Sequence, residues 1–138
     1  MGRTSILVLS DVAVGSVKEF TAPADAYYEV LYAHASLVTT ATANDRRLTM
    51  GIRNDSAVEV FDVHAAAVVA ANTSTPQHHE FMRGVYRETS FIANSIQIPI
   101  ALGLIANPGY SIYFEDENAI DATGDTLAVH LTIQKHPR

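Results

Sequence analysis

The sequence predicts an all-β fold, an antiparallel β-sandwich of jelly-roll type, and three observations predict it. Apolar residues recur with period two along most of the chain. Turn chemistry separates these runs at short intervals. No run carries the i, i+3, i+4, i+7 stripe and flanking caps of an amphipathic helix. Alternating runs of this kind amount to about eight or nine strands.

Residues 1–20 hold a mixed strand-like pattern that includes Val12, Val14, Val17 and Phe20 after Ile6-Leu7-Val8-Leu9. Two readings are open: a first strand of the chain's own sheet, or an arm added to a neighbour's sheet. Residues 27–40 are rich in β-formers (Tyr27, Tyr28, Val30, Leu31, Tyr32, Leu37, Val38) and read as one long or bent strand. Leu48, Met50 and Ile52 alternate with Thr49, Gly51 and Arg53. Asn54-Asp55-Ser56 then supplies a turn into the alternating Val58–Val63, giving a β-hairpin. The alanine-rich run 65–71 is read as a strand because it is short for a helix and contains Val68-Val69. Asn72 to Pro76 is read as an exposed loop.

Glu80 to Arg87 alternates loosely, with Phe81 and Val85 on one side. Ile96, Ile98 and Ile100 share a face, and Pro99 places that strand at a sheet edge or a bend. Asn107-Pro108-Gly109 is a turn leading into the strand Tyr110 to Phe114. An acidic loop, Glu115 to Asp125, precedes the last strand, in which Leu127, Val129, Leu131 and Ile133 alternate with Ala128, His130, Thr132 and Gln134. With no repeat, low-complexity tract or linker, residues 1–138 read as a single domain.

Composition narrows the function classes. The absence of cysteine excludes disulfides, thiolate catalysis and cysteine-ligated zinc. A net charge of −6 with nine scattered basic residues argues against a direct nucleic-acid ligand. The run from Ile6 to Leu9 is cut by Asp11 too soon for a signal peptide, and no stretch approaches a membrane span. A soluble, unprocessed chain is expected. A charged share of only 17% means either little free surface or surface covered by a partner.

Each chemistry-bearing motif has a plainer reading beside it. Among the six histidines, His78 and His79 are adjacent and therefore point to opposite faces of a strand. Asp62 with His64, and His78 with Glu80, have the one-residue spacing of a shared face, yet each pair supplies two ligands and no third is identifiable. Exposed or interface histidines are the expectation. Glu115, Asp116, Glu117, Asp121 and Asp125 match no calcium-loop spacing and are expected to be a solvated loop. Nucleophile-elbow, P-loop and dinucleotide motifs are absent. No catalytic, cofactor or metal residues are predicted, and the chain is expected not to be an enzyme. The predicted contact residues are Ile6, Val8, Val12, Val14, Val17, Phe20, His78 and His79. Six tyrosines add interface-prone surface.

Three stretches carry a resemblance: TATANDRRLTMGIR from Thr40, IPIALGLIANPGYSIY from Ile98, and DATGDTLAVHLTI from Asp121. In order and content the chain resembles small jelly-roll virion proteins of tailed bacteriophages, above all capsid decoration (cement) proteins. The resemblance implies a structural role in the virion, in many copies, assembled in the host bacterial cytoplasm. It implies the major capsid protein or other virion proteins as partners, stabilised contacts between capsid subunits, and a symmetric homo-oligomer, with a trimer favoured. It transfers no active-site residues. The alternative is a tail, collar or fibre module that binds a host glycan, motivated by the tyrosines and the loop Asn72 to His79.

Overall fold

The computed structural model describes residues 3–83 and 95–138. Ten strands occur, β1 Ser5–Asp11, β2 Val17–Thr21, β3 Ala26–Val38, β4 Leu48–Arg53, β5 Glu59–His64, β6 Gln77–Arg83, β7 Ser95–Ile100, β8 Ile105–Ala106, β9 Ser111–Asp116 and β10 Thr126–Pro137, with no helix among the described residues. One sheet has the order β1-β10-β3-β6-β7, with β8 also paired to β3, and the other has the order β2-β9-β4-β5. Without β7 and β8, the sheets read 1-10-3-6 and 2-9-4-5, the interleaving that two Greek keys produce in a jelly roll. The expected fold class is therefore observed. All pairings are antiparallel except β6 with β7.

Inward-facing residues follow from the alternation. Leu127, Val129, Leu131 and Ile133 are buried, as are Leu48, Met50 and Ile52. Phe81 of β6 meets Phe114 of β9 edge to face at 5.6 Å, joining the two sheets across the core. The long strand β3 needs one adjustment. Its register against β10 slips at Thr132/Ile133, leaving Leu31 unmatched. Ala26, Tyr28 and Val30 are buried before that bulge, and Ala33, Ala35 and Leu37 after it. The extra residue restores the parity that a bend would otherwise lose.

Turns follow their chemistry. The Asn54 side chain accepts from the Ser56 and Val58 amides at 2.9 Å and closes the β4–β5 hairpin. Tyr110 donates its amide to the Asn107 carbonyl at 2.9 Å, and Gly109 takes φ 80°. That is the positive φ a type II turn requires at its third residue. Pro99 sits on β7, an edge strand, where its missing amide breaks no inner ladder.

Two expectations are corrected. Residues 65–71 form no strand: Val69 makes a single bridge with Arg46, and only Ala65 and Val69 turn inward. Alanine side chains are too small to make that run a sheet face. The described part of residues 1–20 supplies strands to both sheets of its own chain, β1 pairing with β10 and β2 with β9. The acidic segment is not simply solvated. Glu115 and Asp116 belong to β9, and Asp116 and Asp125 are buried. Val85 and Arg87 lie outside the described residues.

Asp125 is buried because it meets Arg46. Arg46 Nε donates to Asp125 Oδ2 at 2.7 Å and Nη2 to Oδ1 at 3.1 Å, with both side chains fully buried. Arg46 Nη1 also donates to the carbonyls of Thr42 and Asn44, and Thr40 N–H donates to Asp125 Oδ1 at 2.8 Å. Removing one partner strands the other charge. Arg46→Ala and Asp125→Ala should each lower unfolding free energy by about 3–5 kcal/mol, and the double variant by less than their sum. Urea unfolding of the four chains of the cycle reads this directly.

Candidate interaction surface on the six-stranded sheet

The register brings together side chains that are far apart in sequence. Opposite Ser10 stands His130, opposite His130 stands His34, and opposite His34 stands Glu80. The next row holds Val8, Thr132, Tyr32 and Met82. Buried neighbours in β10 and β3 face the core, so these rows form the outer face of the sheet.

Hydrogen bonds and ring contacts tie the histidines together, with His78 reaching in from the neighbouring row. Ser10 Oγ and His130 Nδ1 share a hydrogen bond of 2.8 Å. His34 Nε2 and His78 Nδ1 share one of 2.9 Å, and the rings of His34 and His130 stack at 6.3 Å. Glu80 is buried and accepts from Tyr32 at 3.3 Å and from Ser95 at 3.0 Å. Desolvation lowers the pKa of His34, helped by His78 and His130 and opposed by Glu80. A single proton suffices for the His34–His78 bond, so a second proton there breaks it. Among the described residues, no three His, Asp or Glu side chains converge as metal ligands. The spaced pairs go separate ways: His64 meets Asp62, Glu117 and Thr49 on the other sheet, while His78 joins His34 and Glu80 joins Tyr32.

Five of the eight predicted contact residues, Ile6, Val8, Val12, Val14 and Val17, are exposed. His78 is half-buried within the polar row. Phe20 turns inward, edge to face with Phe114 at 6.3 Å. His79 is fully buried on the inner face, so the expectation of an exposed or interface residue fails there. The parity that puts His78 outside puts His79 inside. Neither of its ring nitrogens has a well-aligned partner. Burial pushes its pKa down to about 4, against a weaker opposing pull from the Gln77 and Ala35 backbone. The latter contacts are too poorly aligned to count as hydrogen bonds.

The tyrosines form no shared platform among the described residues. Tyr28 and Tyr113 are buried, Tyr27 stacks on His136 at 4.9 Å, and Tyr32 is tied to Glu80. Tyr86 lies outside the described residues. Residues 72–77 line an open hollow of about 380 Å³. The Ser10–His130–His34–His78 row escaped sequence reading because its members meet only through register, up to 120 positions apart.

No known family matches the chain, and no curated protein matches it significantly. Among solved structures it is similar to a chain in the structure of infectious bursal disease virus Gx strain, at 8% identity and a TM-score of 0.44. The match covers 96% of this chain and 32% of that one, so this chain spans about a third of the other's length.

The histidines predict an acid response. Unfolded, His79 takes up a proton near the ordinary histidine value of 6.5, whereas folded it stays neutral to about 4. Between these values the unfolded state binds more protons, so stability falls as pH drops. The loss from His79 should be about 2 kcal/mol between pH 7 and pH 5, and His34 adds to it in the same direction. Carboxylates with lowered pKa, such as Glu29, lose their contribution only below the ordinary carboxylate range. Urea midpoints at the two pH values should show this slope, and His79→Leu should flatten it.

Proposed function

We propose that this protein is a virion structural subunit, a bacteriophage capsid decoration protein that binds between capsid subunits and stabilises their contacts. The observation that carries the reading is a tract of exposed apolar side chains near the start of the chain. Ile6, Val8, Val12, Val14 and Val17 are 66%, 63%, 58%, 69% and 50% exposed. Exposed apolar side chains gathered in one segment mark an interaction surface, and their burial against a partner is favourable at roughly 25 cal/mol per Å².

Two further features support the same reading. The space between the sheets is filled by aliphatic and aromatic side chains, which suits a rigid building block more than a ligand-holding barrel. The sequence resembles phage jelly-roll virion proteins over roughly residues 20 to 135. Jelly rolls serve capsids, lectins and cupins alike, so the fold alone does not choose among them. The exposed valines favour a protein partner.

Cosedimentation of the purified chain with empty phage capsids tests the proposal. Saturable binding is expected, with a modest dependence on salt because the tract is apolar. Val12→Asp together with Val14→Asp should weaken attachment by at least about ten-fold while leaving the fold intact, since both side chains are exposed. A chain that ignores capsids at micromolar concentration defeats the reading.

A further inference from the structure

Among the described residues, four strands stand at sheet edges: β1 and β7 in one sheet, β2 and β5 in the other. An edge presents unpaired N–H and C=O groups, and proteins blunt it with proline, lysine, bulges, charges or brevity. Three of these edges are blunted. β7 carries Pro99. β2 is only five residues long and contains Lys18 and Glu19. β5 runs against a register shift at Ile52/Arg53 and carries Glu59 and Asp62. β1 has none of these devices. Its seven residues pair with β10 in unbroken register, contain neither proline nor lysine, and hold one charge, at the last position. Ile6 and Val8 stand exposed on its outer face.

The geometry points to a second copy of this chain as the occupant, with β1 paired antiparallel to its counterpart about a two-fold axis. The strand is self-complementary in that arrangement. Centred on Leu7, the pairing sets Ile6 opposite Val8 of the partner subunit, and the same contact repeats across the axis. Arg3, exposed just before β1, comes opposite Asp11 of the partner subunit. Opposite charges thus meet at both ends of an otherwise uncharged ladder. A parallel arrangement would instead set Arg3 beside Arg3 of the partner subunit and lose these ion pairs. Opposite residues keep the same parity, so outer faces stay outer and the six-stranded sheet runs on into the neighbour's. Each aliphatic cross-strand pair adds roughly 0.2–1 kcal/mol beyond the backbone ladder. The contact is two-fold, where the family resemblance led to an expected trimer. It shares Ile6 and Val8 with the exposed tract from which the capsid attachment is read, while the variants that test that attachment lie at Val12 and Val14.

Sedimentation equilibrium of the purified full chain tests the pairing. A reversible dimer is expected, and Val8→Lys should weaken it by at least about ten-fold with an unchanged circular-dichroism spectrum. Ile6→Lys, at a second exposed position, should do the same. The chain contains no cysteine, so Leu7→Cys introduces a single thiol at the proposed axis. Mild oxidation should crosslink it as a dimer, and adding Val8→Lys should suppress the crosslink. A chain that remains monomeric up to about 0.1 mM, a trimer, or a dimer indifferent to both lysine variants overturns the pairing. Capsid cosedimentation with the Val8→Lys chain is scored separately, so either reading can fail while the other stands.

Discussion

The buried Arg46–Asp125 pair is the constraint on which one end of this sandwich depends. In a jelly roll the chain passes repeatedly from one sheet to the other, and four of those crossings converge here. Arg46 ends the β3–β4 connection and Asp125 ends the β9–β10 connection. The β1–β2 connection enters through Gly15, whose amide donates to the Asp125 carbonyl at 2.8 Å. The β5–β6 connection enters through Val69, which exchanges two backbone hydrogen bonds with Arg46. Thr39 and Thr73 tie the same connection down again, through Oγ1 atoms 2.9 Å apart. A fully desolvated charge pair is expensive unless its hydrogen-bonding capacity is used, and nearly every remaining donor of Arg46 has an acceptor. Such a network contributes specificity of loop placement, because misplacing any one connection leaves a charge buried without its partners.

With those crossings fixed, the faces and edges remain as surfaces for contact, and the two sheets treat their outer faces differently. On the four-stranded sheet Tyr113 is buried although it faces outward. Its ring lies across Gly51, where an added Cβ would run into both the ring and the Phe61 carbonyl. The Arg53 guanidinium covers the ring at 3.8 Å, and the phenol donates to Glu59. Arg53 also pairs with Glu115 at 2.7 Å. That face is closed over by its own side chains, through an aromatic-on-glycine contact and a cation–π contact. The six-stranded sheet has no such cover along β1, where Ile6 and Val8 meet solvent.

How much of this was legible in the sequence depended on distance along the chain. Strands with one aliphatic face, such as Leu127 to Ile133, and turns set by their own residues, such as Asn107-Pro108-Gly109, were read correctly because every determinant is local. Pro99 confined its strand to an edge or a bend, since the missing amide constrains pairing directly, and the strand lies at an edge. The run Ala65 to Ala71 was misread because propensity is weak there and tertiary packing decides. Arg46 looked like one of nine scattered basic residues and Asp125 like part of an acidic loop, since an ion pair spanning 79 positions leaves no periodic signal. The histidine row is hidden in the same way. Local spacing assigned His78 and His79 opposite faces, but the identity of the face turned toward the core required the register of β6 against β3.

The bulge in β3 shows why the exposed edge and the histidine row belong to one surface. Tyr32 and His34 follow the bulge and face outward, while Glu29 precedes it and also faces outward, where it meets His136 and Arg83. Without the extra residue, the two halves of β3 would present opposite faces, and one set of polar side chains would enter the core. With it, the outer face runs uninterrupted from β1 across β10 and β3 to β6. That continuity has an electrostatic consequence. Protonation at His34 places charge two strands away from the β1 edge, on the face that carries Ile6 and Val8. Ser10 lies on β1 itself and bonds His130 directly, so the histidine row reaches the edge through a single hydrogen bond. The apolar edge and the histidine row are consecutive parts of one sheet face.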